Sequence, residues 1–137
     1  MKSKRVFFSL ALAGMIGACF ILIQCNNTTN PPPPPPALEL VYPKGGSGQS
    51  FQAGQTITIV WSIHDQSQVG SVGIKYSLDG GNTWGVFPEL THSFTYPDTS
   101  YQWMIGTAYA SDKVVIKVYE YLNNNPTDAS EPFTITQ

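Results

Sequence analysis

Few side chains in this 137-residue sequence could do chemistry, and their spacing narrows what that chemistry could be. His64 stands directly before Asp65, a base beside an acid, the combination from which general-base catalysis is built. His92 lies apart, between Thr91 and Ser93. Nine Asp and Glu residues could supply the pair of carboxylates that glycoside hydrolysis uses. Ser77-Leu78-Asp79-Gly80-Gly81-Asn82-Thr83-Trp84 sets hydroxyls, a carboxylate, glycines and an indole in the spacing S-x-D-x-G-x-T-W.

None of these makes a convincing centre. Neighbouring residues on a strand point to opposite faces, so His64 and Asp65 do not readily form a hydrogen-bonded dyad. No nucleophile sits in a recognisable elbow, and two histidines without cysteine or carboxylate spacing are a poor metal site. The carboxylates fall mostly at turns, and Asp79 with Asn82 offers too few oxygens for calcium. The expectation is a non-catalytic protein with no metal and no cofactor.

The two cysteines have a different use. Lys2, Lys4 and Arg5 precede an almost wholly apolar run from Val6 to Ile23, the arrangement of an export signal. Ile16-Gly17-Ala18-Cys19 resembles the lipobox of bacterial lipoproteins, in which small residues precede the thiol that receives the lipid. Leu22-Ile23-Gln24-Cys25 resembles it less closely, yet Cys25 closes the apolar run and opens the polar tether Asn26 to Asn30. One of the two, Cys19 or Cys25, is expected to carry the lipid. That gives an export signal over 1–24, a linker over 25–37 and a folded domain over 38–137. Both cysteines precede that domain, so no disulfide can staple it. Pro31 to Pro36 form a polyproline spacer of roughly 20 Å at ~3.1 Å per residue. Loss of Lys2, Lys4 and Arg5 with the signal leaves four basic against nine acidic residues, a formal charge of −5. So acidic a module is a poor partner for nucleic acid.

From Leu38 onward the periodicity is two residues. Ile57, Ile59, Trp61 and Ile63 alternate with Thr56, Thr58, Val60 and Ser62. Val72, Ile74, Tyr76 and Leu78 repeat the pattern, as do Tyr101, Trp103 and Ile105, and then Val114, Ile116 and Val118. Leu38 to Tyr42, a weaker segment from Trp84 to Leu90, and Phe133 to Thr136 bring the number to seven. Gly, Pro, Asn, Asp and Ser clusters punctuate them. About 100 residues with seven short strands predict an all-β fold, a seven-stranded antiparallel immunoglobulin/fibronectin-III-like sandwich, with a barrel as the alternative.

Two resemblances bear on this reading. Ser77, Asp79, Gly81, Thr83 and Trp84 resemble the Asp-box of sialidase-type propellers, in which the box staples a hairpin away from the active site. A propeller needs several boxes and several hundred residues, so a single box here implies a structural hairpin between two strands. Separately, Val41-Tyr42-Pro43-Lys44-Gly45-Gly46 followed by Gln52 to Trp61, then Ile74 to Trp84, Tyr101-Gln102-Trp103 and Ser130 to Ile135, resemble the Kre9/Knh1-like immunoglobulin-like domains. That resemblance spans nearly all of 38–137. It implies an immunoglobulin-like sandwich in the cell envelope, with a wall-organising or adhesive role and no catalytic residues to carry over. The run Ile59-Val60-Trp61 departs from that pattern by one residue before the tryptophan.

If Val114, Ile116 and Val118 point inward, Lys113, Val115, Lys117, Tyr119 and Tyr121 share the outer face. Tyr119 and Tyr121, with Tyr109 nearby, would then form a flat platform for sugar rings; alternatively they cover a loop or pair across strands. The expectation is a lipid-anchored envelope protein, periplasmic or surface-exposed. It would act as a non-catalytic binding or structural module whose partners are the membrane through its lipid, and polysaccharide or another envelope protein. The alternatives are an accessory to a polysaccharide-acting enzyme and a subunit that adds an edge strand to a partner's sheet.

Overall fold

A computed structural model describes residues 31–87 and 93–137. The segment expected to be an export signal, Cys19, Cys25, the asparagine-rich run after it, His92 and the end of the weak segment at 88–90 lie outside the described residues. The folded unit runs from Pro33 to Gln137.

The described residues form ten strands: β1 (Leu38–Tyr42), β2 (Ser50–Gln52), β3 (Thr56–Ile63), β4 (Ser71–Ser77), β5 (Gly85–Val86), β6 (Phe94–Thr95), β7 (Ser100–Met104), β8 (Ser111–Glu120), β9 (Thr127–Ala129) and β10 (Phe133–Thr136). A 3-10 turn, Thr107–Tyr109, leads into β8. The architecture is therefore all-β, with the strands in two sheets. The smaller has the order β1-β3-β7, antiparallel throughout. The larger has the order β2-β10-β8-β4-β5, with β6 added on β4 and β9 on β8, and its one parallel pair is β10 with β2.

Six of the seven expected strands are present over most of their length, and three short ones not foreseen, β2, β6 and β9, join the larger sheet. Each of the three has only two or three residues, too short for alternation to be visible in the sequence. The segment expected from Trp84 to Leu90 pairs with β4 only over Gly85–Val86 among the described residues.

The alternating residues meet between the sheets. Leu38 and Leu40 of β1, Ile57, Ile59 and Trp61 of β3, and Trp103 of β7 are buried on one side. Val72 and Ile74 of β4, Val114, Ile116 and Val118 of β8, and Phe133 and Ile135 of β10 are buried on the other. Cross-strand partners keep the faces in register: Leu40 opposite Trp61, Ile57 opposite Trp103, Ile74 opposite Val118. Phe87 packs against Trp103 at 5.0 Å between ring centroids, and Phe94 against Trp61 at 5.1 Å. The indole N–H groups of Trp61 and Trp103 are buried without an oxygen or nitrogen partner among the described residues. Trp103 instead meets Tyr109 edge to face.

Polar side chains add one tie between the sheets and one within the larger sheet. Asp128 of β9 accepts the backbone N–H of Leu40 on β1 at 2.8 Å, and Ser130 Oγ accepts the N–H of Ile116 at 3.0 Å. β8 is the longest strand and lies between β10 and β4, so what it carries on its outer side sits at the centre of the larger sheet.

Candidate functional site

The loop between β4 and β5 is built around Asp79. Its carboxylate accepts the Thr83 N–H at 2.9 Å, the Thr83 hydroxyl at 2.6 Å and the Ser77 hydroxyl at 2.6 Å. Ser77 Oγ in turn accepts the Gly81 N–H at 2.8 Å. The chain reverses at Gly80 and Gly81, whose φ angles of 75° and 95° lie where a Cβ is disfavoured. These bonds favour the charged form, so the Ser77 hydroxyl first, then the Thr83 hydroxyl and amide, hold the Asp79 carboxyl down at about 2. Every acceptor site of Asp79 described here is turned to the loop's own donors, which is the chemistry of a staple. The Gly80 N–H reaches across to the Lys113 carbonyl at 2.9 Å, fixing the loop on β8.

Trp84 leaves this loop over the outer face of the larger sheet. The Lys117 ammonium lies over its ring, 3.7 Å from the centroid. Lys117 is directly opposite Lys75 of β4, and the Lys75 ammonium lies over the Tyr119 ring at 4.3 Å. Tyr119 stacks on Tyr121 at 6.4 Å with 23° between planes. The outer face thus carries a row in the order Trp84, Lys117, Lys75, Tyr119, Tyr121. Two like charges opposite one another are unfavourable in a sheet, and each ammonium here leans away from the other onto a ring. Burial, and then the neighbouring Lys75, press the Lys117 ammonium below its usual range.

The row corrects the expected platform in two respects. Tyr119 is not an open ring: it is only 7% exposed, whereas Tyr121 is 45% exposed. Tyr119 lies flat over Gly73, its partner on β4, where any Cβ would meet the ring at 2.4 Å. Burial, and then Tyr121, raise the Tyr119 phenol. Tyr109 does not join this face. Half-buried, it packs against the core with Tyr76, Phe87 and Trp103, at ring distances of 5.0, 5.8 and 5.1 Å. Val115 is on the expected outer face but is also buried, at 5% exposure.

Sequence reasoning placed Lys117 on the outer face and missed Lys75 and the second role of Trp84. Lys75 was readable, because Val72, Ile74 and Tyr76 pointing inward leave it pointing outward. The approach of Trp84 to Lys117 was not, since it depends on how the loop folds back over β8. Also missed was Glu120, whose buried carboxylate accepts the N–H groups of Leu122 and Asn123 at 3.0 and 2.7 Å and shapes the turn after β8.

His64 and Asp65 go separate ways. His64 Nε2 lies 3.4 Å from Glu39, which also pairs with Lys44 at 2.9 Å, and these contacts, led by Lys44, lower the Glu39 carboxyl. Asp65 accepts the Ser67 N–H and hydroxyl, and these bonds lower it in turn. Both residues border a pocket of about 340 Å³ with Pro34, Pro35, Ala37 and Gln68. No cluster of three or more His, Cys, Asp or Glu side chains able to hold a metal occurs among the described residues.

The chain matches no protein-family model, and no curated protein resembles it at a significant level.

Proposed function

We propose that this is a lipid-anchored protein of the bacterial cell envelope. A lipid on Cys19 or Cys25 and a polyproline stalk would present an immunoglobulin-like sandwich that binds carbohydrate and does not cleave it. The observation that carries the reading is the row Trp84, Lys117, Lys75, Tyr119, Tyr121. Rings and long polar side chains lie along one sheet face, the kind of surface on which the flat apolar side of a sugar stacks while its hydroxyls meet donors.

The immunoglobulin-type assignment is supported by strand order. A sheet β1-β3-β7 against β10-β8-β4 corresponds to strands A, B and E against G, F and C, with β2, β5, β6 and β9 as additions. The resemblance to Kre9/Knh1-like domains, which implies a cell-envelope module, supports this reading. Within it, Lys44-Gly45-Gly46 forms the turn after β1, where Lys44 accepts the Glu131 N–H and Gly46 donates to the Pro132 carbonyl. Asp79, Ser77, Gly81 and Thr83 serve as the hairpin staple in this reading, and the histidines do no chemistry.

The test is retention of the full chain, purified in detergent, on a panel of insoluble polysaccharides, with soluble sugar measured in the supernatant. Retention on one class without released sugar is expected. Released reducing ends would make it an enzyme, and no retention on any class would remove carbohydrate from the reading.

A further inference from the structure

The lysines in the outer row say more than the rings. Once the signal is removed, the chain carries only four basic residues against nine acidic ones, yet two of the four stand side by side on this face. Neither Lys75 nor Lys117 forms an ion pair with a carboxylate among the described residues; the acceptors and rings nearest them are the Asn124 side-chain oxygen at 3.5 Å, Tyr119 and Trp84. By contrast Lys44, elsewhere on the surface, is paired with Glu39. An aromatic ring neutralises none of a cation's charge, and a carboxylate offers it a stronger partner.

The order of the row repeats a unit. Lys117 belongs with Trp84, and Lys75 belongs with Tyr119 and Tyr121, so the face presents ring and cation twice along the strands. A polymer that repeats an apolar ring face and a negative charge would match both units at once. Resting on the carbohydrate-binding reading above, we propose that the outer face of β4 and β8 binds an acidic polysaccharide, a chain of uronic acid residues. Lys75 and Lys117 swing from their rings to successive sugar carboxylates, and the partly exposed rings of Trp84 and Tyr121 receive the sugars. The lowered proton affinity of Lys117, caused by burial and by Lys75, fits a pair of cations that lack an anion. The overall negative charge of the module works against binding acidic polymers anywhere else on its surface.

The experiment measures affinity of the full chain in detergent for polygalacturonate and for its methyl ester, which keeps the backbone and removes the charge. The chain should bind the acid and bind the ester at least about tenfold more weakly, with affinity falling as salt rises. The double variant Lys75→Gln with Lys117→Gln should lose about tenfold or more for the acid while its thermal midpoint stays near that of the parent, and Tyr121→Ala should weaken both polymers. Equal binding of acid and ester, or an unchanged affinity in the lysine double variant, overturns this inference and leaves carbohydrate binding in place. Binding only to neutral polysaccharides does the same. Failure to bind any polysaccharide overturns both.

Discussion

At the residue scale, Asp79 and Gly73 show how single positions hold the outer face in shape. The Asp79 carboxyl is held at about 2, below its ordinary 3.8, by Ser77 and Thr83. A group depressed on folding adds stability that is complete above its unfolded value and is lost as pH falls through its folded one. The wild-type thermal midpoint should therefore decline as pH drops from about 4 to 2. Asp79→Asn should have a lower midpoint at neutral pH and a flatter acid limb, with Glu39 and Asp65, both also lowered, supplying what slope is left. Differential scanning calorimetry across that range checks this; an acid limb of undiminished slope in Asp79→Asn would show that the staple does not depend on the charge. Gly73 has the opposite constraint, since Tyr119 occupies the space a side chain would need. Gly73→Ala should cost about 1–3 kcal/mol through overpacking and raise the exposure of Tyr119, read by denaturant melts and tyrosine accessibility.

At the element scale, β8 and its neighbours decide what was legible in the sequence. Alternation exposed the inward residues of β3, β4, β7 and β8, because each of those strands is long enough to repeat the pattern. The same alternation misplaced the openness of Tyr119, because exposure on an outer face depends on the partner strand. Only the pairing of β8 with β4 puts Gly73 beneath Tyr119 and Lys75 beside it. Tyr109 was misread for a related reason: the 3-10 turn before β8 lays it, half-buried, against the edge of the core, and no period reveals such a turn. Two element-level predictions follow from the packing. Trp61→Ala or Trp103→Ala, each emptying a fully buried site, should cost on the order of 3–5 kcal/mol and leave little folded protein at 37 °C. Lys75→Gln removes one of two facing like charges, so urea melts should place it within about 0.5 kcal/mol of the parent, on the neutral or stabilised side.

At the scale of the whole molecule, the proposed lipid anchor and the six-proline run precede a two-sheet sandwich whose larger sheet presents one face outward. Its three tryptophans divide cleanly. Trp61 and Trp103 are buried in the core, and Trp84 lies on the outer face under Lys117. That division makes each indole N–H a reporter of where a ligand lands. The measurement that tests the account most directly is a ¹H–¹⁵N titration of the full chain in detergent micelles with polygalacturonate oligomers. The account predicts progressive shifts of the Trp84 indole and of the Lys75, Lys117 and Tyr121 amides, with the Trp61 and Trp103 indoles unmoved. Shifts confined to other surfaces, or none at saturating oligomer, would contradict it.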